Sequence, residues 1–478
     1  MPDLPTQPHA LTIAQASALL REKALSPVDL VDSVLERIEE TDGKLNAYAF
    51  VAIDSALEAA RHAEQEIMNG AWRSPLHGVP LALKDVYRTA GIPTEAESRL
   101  LKGYVPEQDS GVADRLKQGG AIIVGKTVTP EFAYFAYPRE ERRARNPWNL
   151  EFHPGGSSTG SGVSVAADSA MGAMGTDSGG SIRKPAAMNG IAGLKPSFGR
   201  VTKRGVLQLS ATMDHCGPLC KTVEDIALIM SVVAGYDPDD VTSIDVPVPN
   251  LTAHLNRGVR GLRLGIERKH FLSEDVTPPV RSSVEAALAT FEALGAVVVD
   301  VDIPDLELAM TAASTLLLVE ASSYHRRWLT ERPGEYAPGT RFMLQLGNLI
   351  PAASYLRALQ IRRQFKATMQ AVFERNQLAA LLTPTLSNAA ITLAERFPPP
   401  NEGEDRIPIK WNSHCMPFNL TGQPALSIPC GFTDDNIPIG LQIVGNPFDE
   451  PTVLRIGKAY ESATAWHLKA PPLQQKSR

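Results

Sequence analysis

Apolar residues fall at Val28, Leu30, Val31, Val34, Leu35 and Ile38, a spacing that predicts one face of an amphipathic helix. Its start is marked by Ser26-Pro27-Val28-Asp29, with Ser26 as cap, Pro27 in the first turn and Asp29 completing a capping box. A second helix is predicted over residues 54–68, stopping at Asn69-Gly70. Residues 1–70 are thus expected to form an N-terminal helical region. Beyond residue 75 the pattern changes to short apolar runs alternating with helical ones. Strands are predicted at 78–86, 121–124, 262–266, 296–301, 381–384, 425–429 and 439–444, and helices at 111–119 and 280–294. Such alternation predicts an α/β protein whose central sheet is covered by helices on both faces. Residues 305–375 read as helices that cover the rest. With no low-complexity linker and no repeat, the chain 1–478 is expected to be one domain.

Composition narrows the classes. The chain is 43% hydrophobic and 21% charged, which excludes a disordered, collagenous or coiled-coil protein. Lys and Arg number 47 against 53 Asp and Glu, so no basic excess exists to neutralise a phosphate backbone, and no nucleic-acid partner is expected. Four cysteines, Cys216, Cys220, Cys415 and Cys430, are too few for a disulfide framework, and no second ligand pair follows Cys216 and Cys220 at zinc-site spacing. They read as reduced core thiols, with no metal. The first twenty residues lack the basic start and apolar core of a signal peptide, and no run reaches the roughly 18 apolar residues of a membrane span. A cytoplasmic protein without membrane contact is expected.

Two motifs mislead. Gly120 to Thr127 matches the phosphate-loop pattern, but its four middle residues, AIIV, are themselves a strand, whereas a phosphate cradle needs a turning loop. Gly156-Ser157-Ser158-Thr159-Gly160 matches a nucleophile elbow, yet a loop with two prolines precedes it where that motif requires a buried strand.

The chemistry gathers at residues 155–183, where two Gly/Ser-rich knots flank a run of small residues suited to a tightly packed helix and then a strand. In the second knot, Thr176-Asp177-Ser178-Gly179-Gly180-Ser181, a hydroxyl follows two glycines. Glycines let successive N–H groups turn to one side as an anion nest, and a serine beside such a nest can attack a carbonyl while the nest holds the oxyanion. Serine needs a base. None of the ten histidines has a suitable sequence context. Lys84 closes the apolar run LALKDV, and two readings of it stand: a side chain snorkelling to solvent, or a buried amine whose pKa falls until it is a neutral base.

Residues 155–197, GGSSTGSGVSVAADSAMGAMGTDSGGSIRKPAAMNGIAGLKPS, resemble the signature of the amidase signature family. HGVPLALKD at 77–85, AIIVGKTVTPEFA at 121–133, RNPWN at 145–149, LTPT at 382–385 and PFNLTGQPALSIPCG at 417–431 resemble it too, in order along the chain. The resemblance implies an α/β/α sandwich with a mixed central sheet and a catalytic core within residues 75–235. It implies that Ser181 is the nucleophile, Ser157 a bridging serine after a cis Gly156–Ser157 peptide, and Lys84 the base. The N–H groups of Ser178, Gly179, Gly180 and Ser181 would form the oxyanion hole, with Ser158, Asp177 and Arg183 supporting the loops. The implied reaction is hydrolysis of a small or aryl amide, with ester or carbamate cleavage open to the same chemistry. A small-molecule amide and water are the reactants, and no metal or organic cofactor is required. The N-terminal helices are a candidate homodimer contact.

After Glu131-Phe132-Ala133 come Tyr134, Phe135 and Tyr137, where relatives often carry Gly, Ser or Thr. These aromatics either line a substrate pocket for an apolar or aryl group or pack in the core. The alternative function within the family is the amidase component of a tRNA-dependent amidotransferase, which releases ammonia from glutamine. That component usually carries an acidic residue shortly before the PxNLxG segment and a basic cluster before an LG dipeptide. Here Lys410-Trp411-Asn412-Ser413-His414 precedes Met416-Pro417-Phe418-Asn419, and only Arg341 stands before Leu346-Gly347, which favours a stand-alone amidase. A catalytically dead binding protein would be expected to lack Lys84, Ser157 or Ser181, and all three are present.

Overall fold

The computed structural model describes residue 5 and residues 7–134, 136–137, 143–389, 391–397 and 414–473. Its centre is a mixed sheet of eleven strands. In chain order these are β1 (Tyr48–Val51), β2 (Pro80–Lys84), β3 (Ile122–Thr127), β4 (Gly172–Asp177), β5 (Ala192–Lys195), β6 (His215–Cys220), β7 (Arg263–Ile266), β8 (Val297–Asp300), β9 (Ala380–Pro384), β10 (Ala425–Phe432) and β11 (Pro438–Val444). Across the sheet they run β1-β3-β2-β4-β6-β5-β10-β11-β9-β7-β8. Strands β3, β2 and β4 are parallel to one another, and β4 to β6 is antiparallel.

The alternation of side chains along β2 explains the two helical layers. Leu81 and Leu83 join one apolar cluster with helices Gly111–Gln118 and Val223–Val233. Ala82 joins another with helices Pro27–Leu45 and Ile53–Met68. The fold is therefore α/β, with helices on both faces. A third cluster carries helices Leu306–Glu331 and Ala352–Asn376, within the stretch expected to be helical, against Phe418 and Leu420.

Two expectations need correction. Residues 1–70 are not wholly helical, because β1 lies among them and pairs antiparallel with β3 at the sheet edge. Ser26 caps helix Pro27–Leu45 by accepting from Val28 N at 3.0 Å, but no capping box forms with Asp29. The Ser26 hydroxyl donates instead to Glu64 Oε1 at 2.6 Å. Strand β3 runs on through Gly125, Lys126 and Thr127, so the apparent phosphate loop is strand to its end. Its lysine is committed elsewhere: Lys126 Nζ donates to Tyr87 O and Thr94 Oγ1 and lies 3.3 Å from Asp85 Oδ1. All four cysteines are buried free thiols. Among the described residues no helix is long and apolar enough to cross a membrane.

Candidate active site

Lys84 ends β2, and Asp177 ends the neighbouring parallel strand β4, so both deliver their side chains to one end of the sheet. Lys84 is 0% exposed. It does not snorkel. Its Nζ lies 2.8 Å from Ser157 Oγ and 2.8 Å from Thr176 Oγ1, donating to both. Burial lowers its pKa from 10.5 to about 7, against an upward pull from Asp214, Asp177 and Cys216. An amine so placed is substantially uncharged near neutral pH.

Ser157 follows a cis Gly156–Ser157 peptide and precedes helix Thr159–Ala166. That helix crosses the sheet very closely, which explains its small residues. A Cβ on Gly160 would sit 2.1 Å from the Ala47 carbonyl oxygen. Ser158 ties the helix start to β4: its Oγ accepts from Thr176 N at 3.1 Å and donates to Thr176 O at 3.2 Å. The Ser158 N–H donates to Ser181 O at 3.1 Å. Ser158 thus fastens the Ser157 loop to the Ser181 turn.

The Ser178–Ser181 turn is held from beneath by Asp177. Its carboxylate accepts from Gly180 N at 2.7 Å, Ile182 N at 3.1 Å, Asn419 Nδ2 at 2.8 Å, and Nε and Nη2 of Arg183 at 2.9 Å each. The Arg183 guanidinium beside it holds Asp177 well below the usual carboxylate range despite complete burial. Arg183 also donates to Cys415 O, Gln442 Oε1 and Asn419 Oδ1, so the pair is fully hydrogen-bonded. This geometry revises one expectation. The Gly180 N–H is engaged by Asp177, leaving those of Ser178, Gly179 and Ser181 without a partner among the described residues. What Gly180 supplies is its backbone. It adopts φ +104°, and a Cβ there would lie 2.7 Å from Cys415 Cβ.

Ser157, Ser178, Gly179 and Ser181 line a cavity of about 330 Å³. Its other walls are mostly apolar: Leu317 and Leu318 from helix Leu306–Glu331, Met343 and Leu346 from helix Pro338–Asn348, and Met416. Tyr134 and Tyr137 line it as well, whereas Phe135 lies outside the described residues. Residues 410–413 are likewise outside them, while His414 is buried. Arg341 is no part of the lining and turns toward Pro333 O.

Four participants escape the sequence reading. Thr176, the second acceptor for Lys84, stands in the second knot among other hydroxyls that had equal claim. Asn419 lies in the PFNLTG segment without any local sign of its target. Gln442, in β11, and Asp214, which accepts the Ser178 hydroxyl, carry no sequence signal at all.

The chain is similar to known proteins over most of its length. The family model Amidase matches residues 29–454. An amidase of Pseudomonas putida is 40% identical, over 97% of this chain and 98% of its own. A glutamyl-tRNA(Gln) amidotransferase subunit of Chloroflexus aggregans is 37% identical, over 98% of this chain and 99% of its own. The native peptide amidase of Stenotrophomonas maltophilia has a TM-score of 0.84 at 29% identity, covering 98% of this chain and 99% of that one. The matches span nearly the full length of both partners, and the chain belongs to the Amidase family, hydrolases acting on amide C–N bonds.

Proposed function

We propose that Lys84, Ser157 and Ser181 form a proton relay that makes Ser181 an acylating nucleophile. Neutral Lys84 accepts a proton from Ser157 as Ser157 accepts one from Ser181, and Ser181 Oγ attacks the amide carbon. The N–H groups of Ser178, Gly179 and Ser181 meet the developing oxyanion. The relay hands its proton to the leaving nitrogen, the C–N bond breaks, and water hydrolyses the acyl-enzyme through the same groups. Ser158, Asp177 and Arg183 position the two loops. The observation that carries this reading is the dry 2.8 Å contact between Lys84 Nζ and Ser157 Oγ.

The substrate we infer is a small amide with an apolar or aryl acyl group, held against Tyr134, Tyr137 and the leucines and methionines of the cavity. Ester and carbamate analogues fit the same acyl-enzyme chemistry. The reading places the whole chain in one catalytic domain, working in the cytoplasm on a small molecule. The helices within 305–375 serve as its cover.

The second reading is ammonia release from glutamine within an amidotransferase, favoured by the 37% identity to the Chloroflexus aggregans protein. Against it, the α-ammonium of glutamine calls for a carboxylate, and among the described residues no Asp or Glu lines the cavity. Labelling with a fluorophosphonate, lost in Ser181→Ala, tests the nucleophile. A rate panel of glutamine, aliphatic amides, anilides and aryl carbamates tests the substrate, and glutamine as the only good one would reverse the ranking.

A further inference from the structure

Behind Lys84 lies a second cavity, of about 160 Å³, that shares no lining residue with the substrate cavity. Its lining residues are Thr176, Lys203, Val206, Gln208, Asp214, Cys216 and Tyr324, all but Val206 bearing a hydroxyl, amine, amide, carboxyl or thiol group. Its inner end is buried and touches the site twice. Thr176 Oγ1 is 2.8 Å from Lys84 Nζ, and Asp214 accepts the Ser178 hydroxyl. Its outer lip, formed by Lys203, Gln208, Tyr324 and Val206, is half-buried. A polar path therefore leads from the surface to the hydroxyl beside the proposed base, on a side that substrate does not occupy.

The proposed hydrolysis gives such a path a use. Deacylation restores the Ser181 hydroxyl and releases a carboxylic acid. At neutral pH that acid ionises, and the proton acceptor at hand is the Lys84 amine, which becomes ammonium. When the acid ionises before it leaves, Lys84 must lose this proton to solvent before it can serve as base again.

We propose that the second cavity holds a file of water through which Lys84 exchanges this proton with solvent. The inference rests on the relay reading above. In the step, the Lys84 N–H bond breaks as Thr176 Oγ1 gains the proton, and the original Thr176 hydroxyl proton passes to water in the cavity. Threonine can do this because its oxygen donates and accepts, and polar cavities of this kind are where buried water is held. The charged and titratable groups facing Lys84 are Asp214, Asp177, Cys216 and Lys184. Asp177 is locked to Arg183, which leaves Asp214 as the carboxylate on the path. Lys203 at the lip is tied back, donating to Ala211 O at 2.9 Å and lying 4.4 Å over the Phe198 ring.

The test is to obstruct the lip without touching the relay. Val206→Phe narrows it by bulk, and Gln208→Leu removes a polar group at similar size. Single-turnover fluorophosphonate labelling needs no proton export, so its rate should be unchanged in both variants. Steady-state kcat on an amide should fall about tenfold in Val206→Phe with KM unchanged, and raising the concentration of imidazole, a small proton carrier, should restore part of it. Gln208→Leu should show a smaller loss of the same kind. Unchanged kcat in both variants, or labelling and kcat falling together, overturns the proposal. Absence of labelling in the unmodified chain would instead overturn the Ser181 reading.

Discussion

A lysine at the end of a strand ordinarily reaches water, where its amine stays charged. Lys84 ends under Ser157 and Thr176 with no exposed surface, and its pKa falls to about 7. The proposed base is the neutral form, so kcat/KM should drop about tenfold per pH unit below pH 7 and level off above it. The same shift bears on stability. The folded-state pKa is below the unfolded 10.5, so the unfolded chain binds more protons between the two values, and this group's contribution to stability rises with pH across that window. Urea titrations at pH 7 and 9 read the slope, and Lys84→Met should flatten it. The same variant should remain folded by circular dichroism and lose about a thousandfold in kcat/KM. Local pattern singles out Ser181, which follows two glycines, and Lys84, which interrupts an apolar run, whereas the proposed bridging role of Ser157 comes only from the family resemblance. Asp214 and Asn419 were not legible in the sequence. Each reaches the knot across a long loop of chain, 36 residues from Ser178 and 242 from Asp177, which local pattern does not encode.

At the scale of elements, the site is the turn that leaves β4, fastened through Ser158 to the loop before helix Thr159–Ala166. Asp177 and Arg183 are the buried brace of that turn, and removing one charge strands the other. Arg183→Met should therefore lower stability by about 3–5 kcal/mol, measured by denaturant unfolding, and slow labelling of Ser181 as the turn loosens. The helix and strand within 155–183 were predictable, because small residues filled both packed positions between the knots. Strands β1, β5 and β6 were not. The first is four residues long and lies among helical patterns, the second is four residues long beside the knots, and the third contains Gly217-Pro218, a pair that disfavours a strand. The paired ladder overrides that signal, with β6 flanked by β4 and β5.

For the whole molecule, the balance of charge and the apolar cavity bear on whether the chain acts alone. With 47 basic and 53 acidic residues the chain has no overall basic excess. As a stand-alone amidase the purified chain should keep a constant specific activity on dilution and gain nothing from added tRNA. A requirement for added partner proteins, seen as activity only in their presence, would favour the amidotransferase reading. The helical character of residues 305–375 was visible from periodicity, but which residues face the cavity was not. That depends on how Leu317, Leu318, Met343 and Leu346 meet the Ser157 and Ser181 loops, which lie far earlier in the chain.

Lys84 and the Ser181 turn issue from adjacent parallel strands, whereas those four wall residues belong to helices laid over them. One part of the cavity wall is thus encoded apart from the proposed reacting groups, while Tyr134 and Tyr137 lie between those groups in the chain. A chimera that takes residues 306–376 from a relative should inherit that relative's taste in acyl groups while retaining the acid limb of its own pH profile, which would let new appetites arise without disturbing the machinery that cuts.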